Sequence, residues 1–289
     1  MVALRRLQQP GRERADRIVS AVGTAESLEF TLTPGLTLNA AISGPLLRAG
    51  IEAAQVELSG GAFGPLTYVI PAAACDPGHA AWYSSARKPE GTSRLDAANV
   101  TFGRREGGPF THCHAFFTGP DGVRRGGHVM PLDTVVAAPI TARAYGAREV
   151  GVGVEFDPET DFTLFTPRAL SGVGPSRRRL AFARVRPNTD IVTAVEELCR
   201  RHGFAAGTVR GGVGSLVGAC FADAPDVSDY ATEVFVRSGV IRPGPDGEPE
   251  AALDVALVGM SGCLAEGRLV RGENPVCITF EIAVEETVA

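Results

Sequence analysis

Two stretches of the chain follow one plan, and this repeat limits the possible folds more than any single motif. Residues 34–66 read PGLTLNAAISGPLLRAGIEAAQVELSGGAFGPL, and residues 187–216 read PNTDIVTAVEELCRRHGFAAGTVRGGVGSL. In each, a Pro-containing turn leads into a helix with apolar residues at three-to-four spacing. Gly50-Ile51 or Gly203-Phe204 stops the helix, and a strand ending in paired glycines follows. Further on, TGPDGVRRGGHV in the first half faces SGCLAEGRLVRGENPV in the second, each a hairpin leading to an apolar strand, Leu132 to Ile140 or Val276 to Val284. Short runs rich in Val, Phe and Thr, such as NVTFG, ATEVFVR and VCITFEIAV, are broken by Gly, Pro and Asp, which predicts antiparallel pairing. The expected fold class is α+β, with two repeats of a mainly antiparallel sheet and a packed helix. The units are placed at residues 1–148 and 178–289, joined by a connecting segment at 149–177, and 289 residues suffice for two cores.

Within the first unit, Thr111 to Val129 reads THCHAFFTGPDGVRRGGHV and holds three of the five histidines. Side chains alternate along a strand, so His112 and His114 share a face about 7 Å apart. Whether His128 joins them depends on the turn. A two-residue loop, Pro120-Asp121, would set His128 opposite Cys113 and on the wrong face. GPDG favours a type I turn closed by a left-handed glycine, a three-residue loop that pairs Gly119 with Val123 and sets His128 opposite His114. Gly126 and Gly127 remove side chains beside the cluster. Three neutral imidazoles suit Zn²⁺ or another first-row divalent ion and leave a position open, as in catalytic zinc sites. The alternative is three polar residues at a subunit interface or on a half-buried sheet. His79 in DPGH reads as a turn residue, and His202 in RRHG as a helix-end residue interacting with the dipole.

Composition narrows the partners. The net charge of −5 and pI near 5.6 oppose the basic footprint of a protein that grips phosphate backbones. Arg5, Arg6, Arg12, Arg14 and the run Arg177 to Arg179 read as solvated charge. No apolar run reaches the roughly 20 residues that cross a bilayer. The charged amino-terminal stretch lacks a secretory h-region, so a cytoplasmic location is expected. Six cysteines without a CxxC pair read mostly as buried small hydrophobes. SGGAFG and RGGVGS are not GxGxxG before a helix and read as tight turns.

PGLTLNAAI, VELSGGAFG, THCHAFF and RRGGHV together resemble the PPC (plants and prokaryotes conserved) family, and the second half offers PNTDIVTAV, TVRGGVGSL and a degenerate hairpin. The resemblance implies an antiparallel α+β domain, assembly as a trimer, and His112, His114 and His128 as metal ligands. Plant members are linked to DNA through a separate AT-hook. No RGRP-type hook occurs here, so DNA is a disfavoured partner. A more distant, fold-level similarity is to acetolactate decarboxylase and a zinc-dependent ester hydrolase family. In the second half, Ala265 to Gly267 is expected to form the hairpin loop. That would put Glu273 at the position of His128, and Leu257 and Gly259 at those of His112 and His114. A shifted alignment offers Asp254 and Ala256, and either way one site per chain is expected.

The leading expectation is a metal-dependent lyase or hydrolase acting on a small carboxylate- or carbonyl-bearing molecule. Glu106 is a candidate acid or base, and Arg210 a candidate for binding a substrate carboxylate. Either could instead be a surface or structural charge. The alternatives are a transcription-regulating protein with a structural metal, and a metal-dependent ligand sensor without turnover.

Overall fold

A computed structural model describes residues 5–170 and 178–287. The first half runs β1 (Ile18–Thr24), β2 (Glu26–Leu32), α1 (Leu38–Arg48) and β3 (Ala53–Ser59), then four two-residue strands. These are β4 (Ala62–Phe63), β5 (Tyr68–Val69), β6 (Pro71–Ala72) and β7 (Trp82–Tyr83). The long hairpin β8 (Ser93–Arg105) and β9 (Gly108–Thr118) follows, then β10 (Arg124–Val129), β11 (Val136–Ala138) and β12 (Ile140–Ala147). A further hairpin, β13 (Val150–Asp157) and β14 (Phe162–Ala169), occupies most of the segment read as a connection. The second half runs β15 (Arg179–Val185), α2 (Ile191–His202), β16 (Gly207–Leu216), β17 (Thr232–Pro243), β18 (Pro249–Gly259), β19 (Leu264–Arg268) and β20 (Val276–Glu286).

The repeat inferred from sequence is a repeat of topology. One sheet runs β2-β12-β3-β8-β9-β10 before reaching β5, and the other runs β15-β20-β16-β17-β18-β19. The same parts therefore stand in the same order. Helix caps repeat as well. Thr37 and Asp190 accept from the backbone N–H three residues on. At the other end Gly50 (φ 71) and Gly203 (φ 69) take the left-handed conformation. Ile51 and Phe204 then donate back to Leu46 and Cys199, the paired closure a glycine there allows. One strand breaks the symmetry: β1 pairs along its whole length with β15, so the chain's first strand belongs to the second half's sheet.

Each sheet has its helix on one face and the other sheet on the opposite face. Leu38, Ile42 and Leu46 of α1 pack with Cys113, Ala115 and Phe117 of β9, and Val192, Val195 and Leu198 of α2 pack with Val255 and Val284. On the inner faces Phe116 meets Val213 and Phe235, while Ala21, Tyr145, Val152, Phe182 and Ala283 form a second cluster.

Several expectations are corrected. The strand placed at Leu132 to Ile140 is instead the short β11 followed by β12, because Leu132 lies in a turn and Pro139 interrupts the ladder. Arg6, Arg12, Arg14 and Arg178 are exposed as read, Arg178 also pairing with Glu285, whereas the half-buried Arg5 donates to the Val227 carbonyl at 2.8 Å and the half-buried Arg179 pairs with Glu286. Arg177 lies outside the described residues. Cys113, Cys199 and Cys277 are buried as expected, but Cys75 and Cys263 are exposed.

The second-half hairpin turns at Met260 to Gly262, not at Ala265 to Gly267. Gly259 donates to the Cys263 carbonyl and Gly262 (φ 85) to the Gly259 carbonyl. Gly119, Gly122 (φ 75) and Val123 make the same closure in the first half. Superposing the two turns sets Asp254 and Arg268, which pair directly, on His114 and His128, and Ala252 on His112. Leu257, Gly259 and Glu273 do not occupy those positions. Asp254 pairs with Arg237 at 3.2 Å.

Candidate metal centre

The GPDG turn delivers the register argued from its residue types. Gly119 and Val123 close the loop, His128 stands opposite His114, and Val129 opposite Cys113. His112 therefore lies diagonally on the same face, and the three rings converge with centroids 4.6 Å (His112–His114), 4.8 Å (His112–His128) and 5.3 Å (His114–His128) apart. One ligand atom from each lies within 4.8 Å of the others. The glycines before His128 serve close packing: a Cβ on Gly126 would come within 2.5 Å of the Phe116 ring, and one on Gly127 within 2.4 Å of the Val69 carbonyl.

The opposing sheet completes the site. Glu281 of β20 accepts from His112 Nδ1 at 3.0 Å, and the Val234 carbonyl of β17 accepts from His114 Nδ1 at 2.8 Å. Both acceptors fix the protonated nitrogen as Nδ1 and leave Nε2 facing inward, the arrangement that orients a metal-ligating imidazole. His112 Nε2 then lies 2.9 Å from His114 Nε2, and Glu233 Oε2 lies 2.6 Å from the same His114 nitrogen. With both imidazoles neutral, lone pairs from three groups meet there, and His128 Nδ1 is buried without a hydrogen-bond partner among the described residues. A bound cation or a shared proton resolves that contact, so the donor set fits a divalent metal ion.

Electrostatics set two of the histidines apart. Burial, with His112 and His114 nearby, holds His128 well below the ordinary imidazole range and so in its neutral form. Burial also opposes the charging of His112, but the charge and hydrogen bond of Glu281, with Glu233 behind it, outweigh it and raise that imidazole. Tyr83, its ring 5.3 Å from His128, is pushed far up by burial first and by Glu233 and Glu281 next, so its phenol stays protonated.

A cavity of about 130 Å³ opens onto the cluster. Phe110, Phe162, Phe165, Trp82 and Tyr83 line much of it, and His112, His114, His128, Glu233 and Glu281 form its polar part. His79 does sit in a turn, bonded to Asp76 at 3.1 Å, and its ring also packs on Trp82 and Phe162. His202 lies in the last turn of α2, as read, and its side chain meets Ser20 Oγ at 3.0 Å, while Gly203 ends the helix.

The structure brings neither Glu106 nor Arg210 to this cavity. Glu106 (φ 52) is exposed in the two-residue turn between β8 and β9, and Arg210 bonds Glu285 at 2.7 Å and stacks over Tyr145. The carboxylates at the histidines are Glu233 and Glu281, which sequence reasoning passed over. The available signal was a lone acid among the apolar residues of ATEVFVR and of VCITFEIAV, since a carboxylate buried in a sheet needs a partner.

Fold and site define an α+β chain of two helix-backed antiparallel sheets with a histidine cluster between them. Its second half, residues 174–288, matches the family model of the Plants and Prokaryotes Conserved (PCC) domain, in keeping with the resemblance read from the sequence. The matched half is the one whose equivalent positions carry Ala252, Asp254 and Arg268. Among solved structures, a PPC protein from Pyrococcus horikoshii is similar at 16% identity and TM-score 0.40, over 50% of this chain and 93% of that one. A metal-containing protein from Archaeoglobus fulgidus is similar at 20% identity and TM-score 0.40, over 51% and 97%. A candidate DNA-binding protein from Bacteroides thetaiotaomicron is similar at 11% identity and TM-score 0.36, over 51% and 96%. No curated protein matches the chain significantly. No described helix is long and apolar enough to cross a membrane.

Proposed function

We propose that this chain is a metal-dependent enzyme, a lyase or hydrolase acting on a small carbonyl- or carboxylate-bearing compound, with His112, His114 and His128 as the ligands. The observation that carries the reading is the convergence of His112 Nε2, His114 Nε2 and Glu233 Oε2, with His128 beside them, at the end of a cavity large enough for a small molecule. A divalent ion of the zinc type supplies Lewis-acid polarisation of a substrate carbonyl when bound there. The chain's own residues supply the rest. Glu281 and the Val234 carbonyl hold the two imidazoles in register. Glu233, buried and facing the cavity, holds or moves a proton at the reacting group. Tyr83 remains a neutral donor at the cavity wall. The aromatic walls restrict water around the reacting atoms. Trimeric assembly and a cytoplasmic location accompany this reading as expectations, tested by light scattering and cell fractionation.

The test begins with metal analysis of the purified chain, where one divalent ion per chain is expected, and close to none in the His112→Ala, His114→Ala double variant. A panel of small esters and 2-oxo acids, read by proton release and carbon dioxide release, then assigns the reaction class. Glu233→Gln is expected to keep the metal and lower turnover by about 10²–10⁴-fold. A native chain without stoichiometric metal sinks the proposal, as does full activity in Glu233→Gln.

A further inference from the structure

Strand β9 gives the cavity a polarity along its length. Alternate residues share a face at intervals of about 7 Å, and on the face bearing His114 and His112 the next residue toward the hairpin turn is Phe110. Phe165 lies nearly parallel to both rings beside it, at 25° to Phe110 and 13° to His112. The middle of the cavity is therefore flat and apolar. Beyond Phe110 stands Arg105, its guanidinium carbon 3.8 Å from the centre of the Phe110 ring. The turn at Glu106 (φ 52) and Gly107 (φ 79) pairs Arg105 with Gly108 and so places this side chain at the mouth.

Among the described residues Arg105, unlike Arg104, has no anionic partner. Arg104 pairs with Glu52 at 2.8 Å. The Arg105 side chain makes no hydrogen bond or ion pair among the described residues and lies over the face of Phe110. Among the described residues that line the cavity it is also the one arginine or lysine. Guanidinium stacked on a ring keeps its edge N–H groups available, in the planar fork that matches a carboxylate. At the inner end Glu233 and Glu281 repel an anion, so the cavity's charge is arranged from negative inside to positive at the mouth.

We propose that the cavity binds a small carboxylic acid with a planar, apolar body, its carboxylate on Arg105 and its opposite end at the histidine cluster. The volume of about 130 Å³ is close to that of engineered protein cavities that accept a benzene ring (roughly 150 Å³). A single exposed arginine suits a monoanion better than a phosphate dianion. The identity of the inner end rests on the metal-enzyme reading, whereas the anchoring by Arg105 does not.

Calorimetric titration of the metal-loaded full chain with benzohydroxamate and 4-carboxybenzohydroxamate tests both ends, because the two share a metal-gripping head and differ by one carboxylate. The carboxylated probe is expected to bind about tenfold more tightly, as a charge-assisted contact at a solvent-facing mouth allows. Arg105→Gln removes that difference and leaves benzohydroxamate affinity unchanged, while Arg105→Lys restores part of it. Equal affinity of the two probes for the native chain overturns the proposal, as does a difference that survives Arg105→Gln. If neither probe binds a chain carrying stoichiometric metal, the substrate class is wrong while the metal reading stands. Should the chain hold no metal, the metal reading fails alone, and benzoate against benzamide, followed by ligand-observed NMR on the same variants, tests the Arg105 anchor directly.

Discussion

Glu281 and Glu233 touch neighbouring histidines on different nitrogens, and this separates their roles. Glu281 reaches the outward Nδ1 of His112, whereas Glu233 reaches the inward Nε2 of His114. Removing the charge from Glu281 therefore loosens a ligand without removing one. Glu281→Gln is expected to weaken metal binding about 10–100-fold with the fold retained, measured by competition with a chromophoric chelator alongside circular dichroism. The histidines themselves were legible in the sequence because strand period and turn chemistry are local. The two glutamates were not, since their role depends on which face of the second sheet meets the first. His202 offers a separate pH test. Burial first, then Arg179 and Arg201, hold it below the ordinary imidazole value. The unfolded chain therefore takes up a proton first as pH falls, so this residue's contribution is complete above about pH 6.5 and declines below it. Urea midpoints across pH 5 to 8 should fall on the acid side for the native chain, and less steeply for His202→Gln.

Among the elements, the β9–β10 hairpin is the most sensitive. Gly127 runs against the Val69 carbonyl, where a Cβ would approach to 2.4 Å against backbone. Gly127→Ala is expected to cost about 1–3 kcal/mol, measured by denaturant unfolding, and to disturb His128 next to it. Gly107 meets nothing within 4 Å, but its φ of 79 makes Ala there strained as well, at about 1 kcal/mol. Pro-Asp-Gly was readable as a turn in the first half because each of its residues has a turn preference. Met260-Ser261-Gly262 builds the same loop with one such signal fewer, and the Ala265-Glu266-Gly267 stretch nearby offered a competing glycine. Without histidines to mark the register, the position of that loop could not be fixed from residue types alone.

At the scale of the whole molecule, the site and the inter-sheet clusters join the halves into one structure. Ala21, Tyr145, Phe182 and Ala283 pack together, and His112 bonds a glutamate 169 residues away. Calorimetry should show both sheets unfolding in a single transition that moves upward with metal and downward with a chelator. At a free metal concentration one hundred times the dissociation constant the gain is about 2.7 kcal/mol. Two transitions, only one of them responding to metal, would separate the halves.

The pairing of β1 with β15 has a bearing on how the protein is made. Residue 18 must wait for residue 185 before its hydrogen-bond partner exists, and His112 must wait for Glu281. At roughly 5–20 residues per second, the ribosome takes on the order of 10–30 s to supply that last carboxylate after the histidine has emerged. On the proposed metal reading, loading then belongs to the final moments of synthesis or later, and a chain released early carries the three histidines without the strand that sets them.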